Sequence, residues 1–163
     1  MKGFIIGLFA LTVGAIAQPI PVVPLCEKFI APWGANRVEV MKAASNAKLI
    51  FDSMSEDTAN GNLHLMYKRN EKERILIHFT YGELVGYSAF WKNYDSEARN
   101  RWKSAQFEKL LLSAVDIGSE STVVVECGEA RDQYTVRETG NEVWIQRINM
   151  ETLQSVLRKH VER

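Results

Sequence analysis

The sequence of 163 residues is poor in the side chains that build most recognisable reaction centres. It holds two cysteines and three histidines, which leaves few ligands for a transition metal. A glycine-rich phosphate loop, a Gly-x-Ser-x-Gly elbow, a His-Glu-x-x-His pair and a Cys-x-x-Cys pair are all absent. We therefore expect no cofactor and no metal site. Whether the chain is an enzyme stays open, and the lack of motifs favours a protein that is not one.

The chain also lacks an excess of charge of either sign, with 20 basic and 20 acidic residues. Non-specific binding to nucleic acid and polybasic attachment to a membrane both need a cationic surface. The balance therefore disfavours nucleic acid as a partner, although it does not exclude a local basic patch.

One long apolar run is present, at residues 4–16, and it follows the positively charged Lys2. The run is shorter than the roughly 20 residues that a membrane-spanning helix needs. It ends in a small-x-small cleavage site at residues 15–17, which is typical of a secretory signal peptide. We therefore predict a signal peptide over residues 1–17 and a secreted, extracellular product without a membrane span.

Both cysteines, Cys26 and Cys127, lie beyond the predicted cleavage site. Two cysteines in a secreted protein favour one intramolecular disulfide. Such a bridge would close a loop of about 100 residues, to which the chain-entropy model assigns about 4–5 kcal/mol of stabilisation. Two free thiols or a disulfide-linked dimer are the alternatives.

Proline is confined to one segment, because all four prolines lie between residues 18 and 34. Proline fixes φ and restrains its neighbour, so this segment is predicted to be an extended arm. Beyond it, residues 35–163 show no linker and are predicted to form a single domain.

Hydrophobic periodicity predicts three helices and six strands in that domain. Apolar residues at helical spacing run from Asn36 to about Met54, again over residues 95–114, and again from Asn149. Short alternating segments bounded by turn residues predict strands at residues 63–68, 74–79, 83–91, 121–127, 133–138 and 142–147. The predicted fold is α+β, in the order α-βββ-α-βββ-α, with helices packed on an antiparallel sheet. Whether the strands form one sheet or two stays open.

Two histidines fall on neighbouring predicted strands, His64 on the first and His78 on the second. Two facing imidazoles could bind zinc, but the third ligand that a site needs has no clear source in the sequence. We therefore interpret both as half-exposed strand residues.

An aromatic-rich stretch at residues 79–107 is the most distinctive local feature. Exposed tyrosine and tryptophan favour protein interfaces, and the alternative is that these rings belong to the core. We predict that a protein partner binds here, with contact residues at Tyr81, Tyr87, Trp91 and Tyr94.

Four segments resemble parts of the fungal guanyl-specific ribonucleases and of the ribonuclease-like secreted effectors of powdery mildews. The segments are VMKAASNAKL at residues 40–49, NLHLMY at 62–67, RILI at 74–77 and GELVGYSAF at 82–90. The resemblance places His64 at a catalytic histidine, Arg74 at the family's arginine, and Phe90 about where the general-acid histidine belongs. Since phenylalanine cannot donate a proton to a leaving oxygen, the resemblance implies a non-catalytic relative. The mildew effectors typically carry one disulfide between an N-terminal and a late cysteine, comparable to the two cysteines of this chain.

Together these observations predict a secreted, non-catalytic binding protein of the effector type, acting in virulence on a host protein. Whether it is translocated into host cells stays open. One alternative is a diverged secreted ribonuclease, using His64, Arg74 and a carboxylate, or an RNA-binding protein. The other is a carrier that holds a small apolar ligand between its sheet and helices.

Overall fold

The computed structural model describes residues 26, 30–71, 73–92, 121–139 and 142–161. Within them, seven antiparallel strands form one sheet in the spatial order β1-β2-β3-β4-β7-β6-β5. The chain order of the elements is α1 (Arg37–Asn46), β1 (Ile50–Asp57), β2 (Asn62–Lys68), β3 (Glu73–Thr80), β4 (Glu83–Lys92), β5 (Ser121–Cys127), β6 (Ala130–Thr139), β7 (Glu142–Asn149) and α2 (Met150–Val161).

The predicted order α-βββ-α-βββ-α is wrong, because the first helix is shorter than predicted and a seventh strand follows it. Helix α1 starts with a capping box. The Asn36 side chain accepts a hydrogen bond from the Glu39 backbone N–H, and the Glu39 side chain accepts one from the Asn36 backbone N–H. It ends in a Schellman motif, with Lys48 at φ 57° and the Leu49 N–H donating to the Ala44 carbonyl at 3.0 Å. The chain then enters β1.

The remaining strands agree more closely with the periodicity, since β2 to β7 overlap the six predicted ones. All seven belong to a single sheet, which answers the question that the sequence left open. The predicted helix at residues 95–114 lies outside the described residues.

The main apolar core lies between α1 and one face of the sheet. The register pairs Leu65 with Ile77 and Ile77 with Tyr87, so side chains of three adjacent strands share this face. Val40 and Ala44 of α1 are fully buried against it. Burying a side chain of valine or leucine size contributes about 1.5–3 kcal/mol, so these few contacts hold the helix in place.

The predicted disulfide is confirmed, since Cys26 and Cys127 are bonded within the chain with their Cα atoms 5.0 Å apart. The backbone N–H of Cys26 also donates to the Tyr134 hydroxyl at 3.1 Å. The arm is therefore fastened to the end of β5, at one edge of the sheet. Among the described residues, no helix is both long and apolar enough to cross a membrane.

Candidate functional site

A chain of hydrogen bonds links three adjacent strands through His64, His78 and Ser88. His64 lies directly opposite His78, as the sequence predicts, and their Nδ1 atoms are 2.9 Å apart. His78 Nε2 and Ser88 Oγ share a hydrogen bond of 2.6 Å. Gly86 lies opposite His78, where an added Cβ would come within 2.6 Å of the Arg147 carbonyl oxygen. The close approach of β4 and β7 therefore requires glycine at this position.

The expectation of two half-exposed histidines holds for His64 and is wrong for His78. His78 and Ser88 are buried, and His64 is half-buried. Burial and, to a lesser extent, the neighbouring His64 lower the pKa of His78 to about 3, so the His78 imidazole is neutral at physiological pH. A fully buried serine cannot reach a substrate, so the Ser–His–His order does not make a nucleophile here.

A second polar cluster surrounds Arg147, whose side chain is 1% exposed. Its Nε donates to Asp132 Oδ2 at 2.7 Å, and Nη2 makes a second contact with the same carboxylate. Asn149 Nδ2 donates to the other carboxylate oxygen at 2.7 Å, and Arg147 Nη1 donates to the Tyr87 hydroxyl at 3.3 Å. Three aromatic rings lie within 6 Å of the guanidinium, those of Trp33, Tyr87 and Tyr134. A buried charge with this many partners is a structural centre of the core.

The structure does not bring the predicted contact tyrosines and tryptophan together. Tyr87 is 2% exposed and belongs to the Arg147 cluster, where burial raises the pKa of its hydroxyl, so a partner cannot reach it in the folded protein. Tyr81 lies in the β3–β4 turn at φ 48° and stacks on His160 at 4.5 Å. Trp91 lies at the opposite end of β4, about 30 Å away at about 3.3 Å per residue. Tyr94 lies outside the described residues.

The residues that the resemblance assigns to ribonuclease chemistry are also separated. His64 pairs with His78, and Arg74 lies four positions along β3 from His78, about 13 Å away at strand spacing. Phe90 lies directly opposite Arg74 rather than near His64. The three side chains share one face of the sheet without converging on a point where a phosphodiester could bind.

The edge strand β1 is the feature of this structure that the sequence did not predict. All eight of its residues are exposed, among them Ile50 at 65%, Phe51 at 51% and Met54 at 48%. Helix α1, which precedes it, adds the exposed Val38 and Met41. In the part of the chain that the structure describes, β1 pairs with β2 alone. Its outer row of backbone groups therefore has no strand beside it there.

A cavity of about 10 Å³ lies between the arm and the sheet, lined by Ile30, Trp33, Val40 and Tyr87, among others. It has room for about one water molecule. It is too small for the apolar ligand of a carrier. Among the described residues, no three His, Cys, Asp or Glu side chains come together to hold a metal ion.

Comparison with family models, with curated proteins and with solved structures finds no match. The functional argument therefore depends on the geometry of the chain itself, and above all on the open edge at β1.

Proposed function

We propose that this chain is a secreted, non-catalytic binding protein that takes up an extended segment of a partner protein along β1. We further propose that it is an effector-type protein and that the partner belongs to a host. The observation that supports binding is the eight-residue edge strand whose residues are all exposed. The disulfide and the signal-peptide pattern support action outside the cytoplasm of the producing cell.

An open strand edge binds an extended peptide by adding it as a further strand. Main-chain hydrogen bonds supply the affinity, and alternate side chains supply the specificity. On β1, Phe51 and Met54 lie opposite Tyr67 and Leu65, on the face that α1 covers further along the sheet. A bound strand would extend that face and shield both side chains from water, which at about 25 cal/mol per Å² favours binding.

The charge of β1 selects among possible occupants. It carries Asp52, Glu56 and Asp57 and no basic residue, although Asp52 already pairs with Lys68 of β2. Two copies of β1 side by side would place these carboxylates close together, which opposes self-pairing. The favoured occupant is therefore a strand of a different protein that alternates apolar residues with lysine or arginine.

The edge is tested with immobilised peptides that alternate valine with lysine, compared with peptides that alternate valine with glutamate. We expect the mature protein to bind the lysine series preferentially. Met54→Lys should lower the affinity for the lysine peptides at least tenfold. The new lysine repels the lysines of the peptide, and the apolar contact of Met54 is lost. Surface plasmon resonance on folded protein measures the effect.

Val124→Lys is the matched control, because Val124 is exposed to a similar extent, 53%, on the opposite edge strand β5. Its affinity should stay within twofold of the wild type. Equal loss in the two variants, or equal binding of both peptide series, would contradict docking at β1.

The non-catalytic part of the proposal is tested with single-stranded RNA. Because His64 and Arg74 do not converge, we expect cleavage at background level that is unchanged in His64→Ala. His160→Ala, at an exposed helix end, serves as the control for loss of a histidine. Cleavage that disappears in His64→Ala and persists in His160→Ala would show a ribonuclease instead.

A further inference from the structure

The geometry points to a Cu(I) site formed by the two facing histidines, His64 and His78, together with Met66. This site is independent of the β1 edge, because it lies on the opposite face of the sheet from Phe51 and Met54. We propose that the imidazole Nδ1 atoms and the thioether sulfur are its three ligands.

The two imidazoles face each other at nearly the separation that a shared ion requires. Metal–imidazole bonds of about 2.0–2.1 Å, the length found for zinc, set two Nδ1 atoms about 3.3 Å apart at a tetrahedral angle. Here the Nδ1 atoms of His64 and His78 lie 2.9 Å apart on directly opposed strand positions. Binding the ion would replace the hydrogen bond between the two rings. The Nδ1 atoms would move apart by a few tenths of an ångström, both rings would turn toward the ion, and the proton between them would move to the Nε2 atom of His64.

The surroundings of His78 hold it in the form that binds a metal. A metal at Nδ1 requires the proton of the neutral ring to be on Nε2, where Ser88 Oγ lies at 2.6 Å and can accept it. A hydrogen bond of this kind from the outer nitrogen fixes the tautomer and orientation of metal-binding histidines.

Met66 supplies the donor that decides which ion the site prefers. It lies two positions from His64 on the same face of β2, directly opposite Leu76 and diagonal to His78. Diagonal neighbours in an antiparallel pair are about 7–8 Å apart, within the span of a long side chain. Because thioether sulfur is a soft ligand, a set of two imidazoles and one thioether favours Cu(I) over the harder divalent ions.

The test uses the mature chain with its disulfide intact and Ag(I), a redox-inert probe for Cu(I), in chloride-free buffer. We expect one equivalent of Ag(I) to bind, with affinity lowered about tenfold in Met66→Leu and at least a hundredfold in His64→Asn. A competition titration of Cu(I) against a chromophoric chelator should give the same order. The exposed His160→Asn variant should bind like the wild type.

Met66→Leu conserves volume and apolar character, so its fold should be retained, and near-ultraviolet circular dichroism checks this. The proposal is overturned if wild type binds no Ag(I) at micromolar concentration, or if His64→Asn binds as wild type does. It is equally overturned if Met66→Leu binds unchanged, or if Zn(II) displaces Ag(I) at equal concentration. None of these results depends on peptide binding at β1.

Discussion

Replacing Asp132 with alanine is expected to lower the free energy of unfolding by about 3–5 kcal/mol. Asp132 and Arg147 are both almost fully buried, and the carboxylate binds the guanidinium through two nitrogens. Alanine would leave the guanidinium in the interior without that counter-charge, and would remove the acceptor of the Asn149 side chain. Urea unfolding of the two proteins, followed by far-ultraviolet circular dichroism, measures the difference.

Glu151→Ala gives the matched control for this prediction. Glu151 also accepts two hydrogen bonds from an arginine, Arg131, but this pair lies on the surface. An exposed ion pair contributes about 0–1 kcal/mol, so this variant should unfold close to the wild type. If Asp132→Ala cost no more than Glu151→Ala, the Arg147 cluster would not be the structural centre that its burial indicates.

The strands that could be predicted from the sequence are those with one face in the core. In β3, Ile75, Ile77 and Phe79 are buried at every second position, and this alternation is the pattern by which a strand is recognised. Both ends of β3 are also marked by turn residues in the sequence. The same reasoning applies to the strands on either side of it.

Strand β1 could not be predicted in this way, because neither of its faces is buried and it has no alternation to detect. Ile50, Phe51 and Met54 also happen to continue the helical spacing of α1. The residue that ends the helix in the left-handed conformation is Lys48, where glycine is the usual signal. The spacing of these apolar residues therefore predicts a longer helix at the position where the structure has the edge strand β1.

The two buried polar clusters, around His78 and around Arg147, show a different limit of prediction from the sequence. That His64 and His78 face each other could be predicted from a short hairpin between their strands, and the register confirms it. The Arg147 cluster brings together Trp33, Tyr87 and Tyr134, which are far apart in the sequence. Local periodicity contains no information on such distances, so Tyr87 was predicted to be a surface contact when it is part of the core.

Removing the disulfide is expected to destabilise the protein by about 4–5 kcal/mol, the value of the chain-entropy model for a loop of this length. The bonded cysteines are separated by 101 residues, so the bridge restricts most of the unfolded chain. In the double variant Cys26→Ser, Cys127→Ser, we expect the urea midpoint to fall accordingly. The double substitution avoids leaving a free thiol that could form a dimer.

The reduced wild type provides the internal control. With dithiothreitol its unfolding curve should coincide with that of the double serine variant, and that variant should not respond to dithiothreitol. The native sheet should survive, because the arm keeps a second attachment through the Gly34 N–H, which donates to the Leu84 carbonyl at 2.9 Å. A loss below about 1 kcal/mol would show that the bridge acts mainly by holding the arm at the β5 edge rather than by restricting the unfolded chain.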